Sequence, residues 1–410
     1  MNNLFLLYID PGTGSMLFSI LIGAIATLFF LGKALLLKIK LFFAGKKDGT
    51  VIDSSYKKFV IYNEGVQYWN LFKPVCDEFE KRKIELNYLT SAENDPCFKQ
   101  NYTFVKPEYI GEGNKAFSRL NLLSAGFVLM TTPGLNVYQL KRSKNVQHYG
   151  HILHAPSDAT MYRLFGIDYF DSILLTGDYQ KKDLLKLEEL RDVPKKEYTT
   201  VGCPYLDTLK GKIDSLPKEE NHRFTVLVSP SWGKSALLSK YGERLLTPLA
   251  DTGWKIIVRP HPQSKKSESD MLKNLTEKYQ ENSNVEWDYN QDNIISMSKS
   301  DIMISDFSGI IYDYTFLCDK PVMYVNSDMD LRPYDAYDIE GGKNIWQFET
   351  LKKIGIELKE ENFDKIKEII QQASDSKELQ ELRHKASNEA WMNKGVAGKS
   401  VVDFMIKTVK

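Results

Sequence analysis

The chain has 410 residues, 42% apolar and 26% charged, and its 54 basic side chains balance 54 acidic ones for a formal net charge of zero. At about 100 to 200 residues per domain, that length is too great for one core and suits two domains with an appendage. Zero net charge excludes a global basic field, so no nucleic-acid partner is expected and any electrostatic recognition must be local.

The amino terminus comes first. From Ser15 to Gly32 there is no charge, and Met16 to Leu31 is almost wholly apolar. As a helix this stretch spans about 25 Å, slightly short of a bilayer core of about 30 Å. Continuing through Ala34 to Leu37, with Lys33 snorkelling, closes the gap. No Lys or Arg precedes the run, whereas Lys33, Lys38, Lys40, Lys46 and Lys47 follow it, the reverse of a cleaved signal peptide. The expectation is an N-terminal transmembrane helix within a membrane anchor and basic juxtamembrane segment, residues 1–48. It would be single-pass or monotopic in the cell membrane, with the body of the chain cytoplasmic.

Beyond the Gly45 to Gly49 linker, short apolar runs alternate with helical patterns. Phe59 to Tyr62 reads as a strand, Trp69 to Arg82 as a helix and Ile84 to Thr90 as a strand. Strands are also expected at Phe127 to Met130, Val146 to His154 and Ile173 to Leu175, with helices at Asn114 to Leu123 and Lys181 to Leu190. After the polar stretch Lys210 to Arg223 a second series begins, with strands at Phe224 to Val228, Trp254 to Val258, Asn284 to Trp287, Ile302 to Ile304 and Pro321 to Tyr324. Such alternation predicts α/β architecture: two doubly wound, Rossmann-like domains facing each other across a cleft, a GT-B-like arrangement. The domains are expected at 49–215 and 222–375, with C-terminal helices over 376–410 that cross back to the first. The four cysteines, Cys76, Cys97, Cys203 and Cys318, form no C-x-x-C pair and read as reduced packing residues.

In open α/β sheets ligands sit beyond the carboxyl ends of the strands, and four such ends carry unusual residues. The first is Gln147 to Asp158, with His148, His151 and His154. On a strand His148 and His154 share one face and His151 the other, which opposes a shared metal; His154, just before Ala155-Pro156, is the candidate general base. His151 and Asp158 are candidates for the acceptor side. The second is Arg259-Pro260-His261-Pro262, where flanking prolines hold the imidazole at a strand mouth and Arg259 and His261 can both meet a diphosphate.

The third strand end, Ser229 to Ser235, contains Gly233-Lys234-Ser235, but the first glycine of a P-loop would fall on Val228, so ATP hydrolysis is not indicated. Ser231 and Lys234 fit a ligand-binding loop instead. The fourth is Ser305-Asp306-Phe307-Ser308-Gly309, where a strand runs into a helix. Converging N–H groups and the helix dipole make an anion seat there, which Ser308 can cap and Gly309 can open, with Asp313 one turn on.

Together these motifs carry a family resemblance. Arg259 to Pro262, then Ser305 to Tyr314, then Lys320-Pro321-Val322, resemble the CDP-glycerol glycerophosphotransferases of teichoic acid synthesis, with glycine at 309 where that family often has a second serine. The similarity extends to Ile152 to Pro156 and to Val201 to Asp207. It implies a GT-B fold, membrane association, no required metal or cofactor, and a phosphotransferase of the cell envelope. Its donor would be a CDP-alditol and its acceptor a hydroxyl of a lipid-linked or polymeric glycan, with CMP released. His154 and His261 are then the catalytic candidates, and Arg259, Ser305, Asp306, Ser308, Gly309, Asp313, Ser231 and Lys234 the donor-binding ones. A nucleotide-sugar glycosyltransferase for capsule or exopolysaccharide, and a non-catalytic membrane-tethered binding protein, are the alternatives.

Overall fold

The computed structural model describes residues 27–29, 32–33, 55–217, 222–290, 292–326 and 329–409. Met1–Ser55 and Tyr56–Lys410 are separate compact units. Of the first, the described residues 27–29 and 32–33 are helical. Among the described residues no helix is long and apolar enough to cross a membrane, and the rest of the expected span lies outside the described residues.

The larger unit holds two parallel sheets. The first comprises β1 (Lys57–Asn63), β2 (Leu86–Thr90), β3 (Val105–Tyr109), β4 (Ala125–Met130), β5 (Val146–Ile152), β6 (Ser172–Leu175) and β7 (Glu197–Thr200), in the order β3-β2-β1-β4-β5-β6-β7. The second comprises β8 (Thr225–Val228), β9 (Lys255–Val258), β10 (Val285–Trp287), β11 (Ile302–Ser305), β12 (Val322–Tyr324) and β13 (Gly355–Glu357), ordered β10-β9-β8-β11-β12-β13. Each order reverses direction once, between β1 and β4 and between β8 and β11, which opens a crevice at the strands' carboxyl ends.

Central strands are apolar on both faces because helices cover both. In β1, Val60 and Tyr62 enter one core cluster while Phe59 and Ile61 enter another. Helix Trp69–Arg82 buries Trp69, Phe72, Val75, Cys76 and Phe79 at helical spacing and ends where Lys83 turns left-handed at φ 58°. Helix Ala397–Thr408 adds Val401, Val402, Phe404 and Met405 to the same cluster. It crosses Trp69–Arg82 closely, since a Cβ on Gly398 would stand 2.7 Å from the Pro74 carbonyl oxygen.

Asp207 fixes the start of this last helix by accepting from the N–H groups of Gly395 at 2.8 Å and Ala397 at 3.1 Å and from Trp391 Nε1 at 2.8 Å. The preceding helix, Lys377–Ala390, packs Ala386 and Ala390 against the second sheet's side of the molecule, in one cluster with Tyr312 and Tyr314.

Three strands depart from expectation: β3, β7 and β13 are all present, and all are sheet edges. The burial of β3 and β7 is mostly partial, and β3 contains Pro107, tolerable only where a missing N–H breaks no ladder. The strand expected to run to His154 stops at Ile152, so His154 stands in the loop beyond β5.

Candidate functional site

At the second sheet's reversal, β8 and β11 end side by side, and the Ser305 hydroxyl donates to the Ser229 carbonyl at 2.7 Å. Ser305 is fully buried, so it braces the two strand ends. Asp306 is buried as well, and its carboxylate is occupied by backbone: Oδ1 accepts from the N–H groups of Ser231 at 2.9 Å and Ser308 at 3.2 Å, and Oδ2 from that of Leu237 at 2.9 Å. One acid thereby shapes the whole 229–237 loop and the start of the next helix.

Ser308 does not cap that helix, contrary to expectation. Helix Ile310–Cys318 has Gly309 as its N-cap, at φ −62° and without a side-chain cap. No hydrogen bond among the described residues uses the Gly309 or Ile310 N–H, and a Cβ at Gly309 would meet nothing within 4 Å. The glycine is thus exposed, uncrowded and backed by the positive end of a helix.

Around it lies a cavity of about 370 Å³, lined from the first sheet's side by Gln67, Tyr68, His154 and Ser157 and from the other by Gly309, Tyr312 and Asp313. Of the expected residues, His154, Gly309 and Asp313 meet there. Tyr205, on the helix Pro204–Asp214 that leaves β7, also lines it and donates to Asp313 Oδ2 at 2.9 Å.

His154 is half-buried, and desolvation pushes its imidazole down to about 4, so it is neutral near pH 7. Its Nδ1 faces the hydroxyls of Thr131 and Tyr162, each at 3.2 Å, and the Tyr68 ring meets it edge-on at 5.4 Å. Nε2 has no hydrogen-bond partner among the described residues. Asp313 moves the opposite way: desolvation lifts its carboxyl to about 7, against the lowering effect of the Tyr205 bond. A neutral base and a carboxyl poised near neutrality therefore share one cavity.

His261 stands apart from this cavity, in the loop after β9, which is two strands from β11 in the sheet. Its Nδ1 accepts from the Gln263 N–H at 3.1 Å, which puts the imidazole proton on Nε2 and makes that atom a donor. Burial lowers its pKa, with Asp306 and Glu268 opposing. The exposed Trp232 lies 6.3 Å from it, ring centre to ring centre. Ser231 is buried with its hydroxyl unpartnered among the described residues, and Lys234 is exposed on the same loop.

Three expected site residues have other partners in the structure. Arg259 pairs with Asp288 at 2.5 Å and donates to the Asn290 carbonyl at 2.7 Å, which orders the loop after β10. His151 is fully buried behind His154, with Nε2 at 3.0 Å from the Tyr162 hydroxyl. Asp158, also buried, holds Thr160 with one oxygen and accepts from the Trp346 N–H at 2.9 Å with the other. His148 lies elsewhere, stacked on Phe127 and 2.9 Å from Ser172 Oγ. Among the described residues, no group of three or more His, Cys, Asp or Glu could hold a metal ion.

Sequence reasoning missed Tyr68, Thr131, Tyr162 and Tyr205. Tyr205 lay inside the Val201 to Asp207 similarity. Tyr68 ends a short 3-10 turn before helix Trp69–Arg82, Thr131 and Tyr162 sit in loops, none carries a spacing signal, and only folding brings them to His154.

Residues 187–338 match the family model described as CDP-Glycerol:Poly(glycerophosphate) glycerophosphotransferase. The match covers the second-sheet motifs and begins after His154. No curated protein matches the chain. Among solved structures, the wall teichoic acid polymerase TagF is 16% identical, with a TM-score of 0.53, covering 86% of this chain and 88% of that one. The UDP-GlcNAc 2-epimerase of Methanocaldococcus jannaschii is 13% identical, TM-score 0.55, covering 85% and 99%. That of Neisseria meningitidis is 16% identical, TM-score 0.53, covering 86% and 100%. At these identities the likeness is one of fold: two parallel-sheet α/β domains in a GT-B-like arrangement.

Proposed function

We propose, for a chain whose residues 187–338 match the family model of the CDP-glycerol glycerophosphotransferases, that it is an enzyme that moves glycerol phosphate or another alditol phosphate from a CDP-linked donor to a hydroxyl of a lipid-linked or polymeric cell-surface glycan. The observation that carries this reading is the single cavity in which His154 of the first sheet's side faces Gly309 and Asp313 of the second.

The acceptor hydroxyl attacks the β-phosphorus, a new P–O bond forms, and the bond to the bridging oxygen breaks so that CMP leaves. His154 Nε2 receives the hydroxyl proton. A loose phosphoryl-transfer transition state asks little of a base and much of positioning, so an imidazole with a pKa near 4 suffices for a late proton transfer. The uncapped helix start at Gly309 and the Nε2–H of His261 supply donors for the diphosphate, with Lys234 and Ser231 alongside. The uncharged run Ser15 to Gly32 and the lysines after it support a body held at the cytoplasmic face of the cell membrane, where a lipid-linked acceptor is concentrated.

The test is nucleotide release from a panel of CDP-glycerol, CDP-ribitol and UDP-sugars with a membrane extract as acceptor. CMP release that disappears in His154→Ala is expected. Release of UDP alone, or CMP release unaltered in both His154→Ala and His261→Ala, rejects the reading.

A further inference from the structure

We propose that Tyr162, backed by His151, is a positioning residue that, with Thr131, holds His154 as its Nδ1–H tautomer and leaves Nε2 bare toward the cleft. The proposal rests on the reading of His154 as proton acceptor and adds what sets its proton.

The geometry around Nδ1 is the starting point. Thr131 Oγ1 and the Tyr162 hydroxyl lie at the same 3.2 Å from that atom. An unprotonated ring nitrogen has one lone pair and takes one O–H well, whereas a ring N–H can be shared between two acceptor oxygens. Two equal contacts fit the shared N–H.

His151 decides where the Tyr162 proton goes. Its ring is fully buried on β5, Nε2 lies 3.0 Å from the Tyr162 hydroxyl, and Nδ1 has no partner among the described residues. A bare buried lone pair costs less than a bare buried N–H, so His151 keeps its proton on Nε2 and donates to the tyrosine oxygen. In the proposed arrangement the Tyr162 proton points away from Nδ1, toward the Thr131 side of the ring. Both oxygens retain a lone pair for the His154 N–H. Each imidazole and each hydroxyl carries one proton throughout, and nothing is charged. Burial keeps both rings neutral, His151 down to about 3 and His154 to about 4. No carboxylate bonds to His151, His154 or Tyr162 among the described residues, so hydroxyls take the orienting part that an aspartate plays in a Ser-His-Asp triad.

The test is nitrogen NMR of the full chain labelled in its six histidines, at pH 7 and without substrate, with the His154 signals assigned by their loss in His154→Gln. The expected spectrum shows a protonated Nδ1 and an unprotonated Nε2. Tyr162→Phe should convert this to a mixture of tautomers and lower kcat for CMP release from CDP-glycerol about tenfold or more, with KM little changed. Thr131→Val removes the other acceptor and gives the same reading if Tyr162→Phe does not fold. A protonated Nε2 in the parent, or a tautomer unmoved by these substitutions, overturns the proposal. Because the spectrum needs no substrate, a parent chain that fails to turn over CDP-glycerol counts against the function and leaves this test standing.

Discussion

The Tyr205 hydroxyl donates to Asp313 Oδ2 at 2.9 Å, and through that bond the helix leaving the first sheet grips the helix that opens onto the cleft. Asp313 is buried, and its carboxyl is lifted to about 7 from an ordinary 3.8. Between those values the unfolded chain has released a proton that the folded chain keeps, so stability falls as pH rises from about 4 to about 7 and then levels. Asp313→Asn retains an acceptor for Tyr205 and cannot ionise. It is expected to raise Tm at pH 8, by up to about 4 kcal/mol of stability, with the gain shrinking toward pH 4. Calorimetry across that range checks it, and a gain independent of pH contradicts the assignment.

Asp306 should act through the backbone it holds. Asp306→Asn replaces one of two acceptor oxygens with a donor, leaving at least one of three N–H groups, two of them buried, unmatched, at a cost of about 1 to 3 kcal/mol. A lower Tm is expected together with a raised KM for the donor, since the 229–237 loop loosens. Kinetics and thermal melts on the same sample read both, and an unchanged Tm speaks against this role.

Arg259 and Asp288 form a buried pair, with Arg259 and Ser296 both lowering the Asp288 pKa. Removing the cation leaves a buried carboxylate uncompensated, so Arg259→Met should cost about 3 to 5 kcal/mol. The loss should be largest above pH 4 and diminish as pH falls through the depressed Asp288 pKa, where protonation relieves the charge. Chemical denaturation at pH 7 and pH 3 tests this; equal losses at both count against it.

Gly309→Ser should be tolerated. The position has an ordinary φ of −62° and open space at Cβ, and serine is a better N-cap than glycine by a few tenths of a kcal/mol. Tm equal to or slightly above the parent's is expected, with CMP release retained. A marked fall in Tm would show the space to be occupied.

The unit Tyr56–Lys410 contains both sheets and their cores. Residues 56–410 expressed alone should therefore melt cooperatively at the Tm of the full chain, and on the proposed anchoring only the full chain should float with membranes. Comparing the two by thermal melt and vesicle flotation decides this; flotation of residues 56–410 would move the membrane contact into the body.

The interior of the fold could be read from residues because both-face burial writes itself as apolar runs. Phe59 to Tyr62, Val226 to Val228 and Ile302 to Ile304 have no polar alternative. Edge strands escape this reading: Val105–Tyr109 and Glu197–Thr200 are partly wet, and their residues look like loop until a neighbouring strand supplies half of each ladder. Asp306 shows the same division at the site. Its place at a strand end was legible, whereas its three N–H partners come from residues 69 and 75 positions earlier and from the next turn.

What the sequence by itself determined is therefore the alternation that makes two doubly wound sheets, and the motifs at their carboxyl ends, since hydrophobic period and backbone stereochemistry act locally. What only the tertiary structure decided is the company each residue keeps. Arg259 is paired with Asp288, His151 lies behind His154, and Tyr162 and Thr131 converge on one imidazole nitrogen. Desolvation and hydrogen bonding depend on atoms brought close by folding, and those set the protonation of His154 and Asp313.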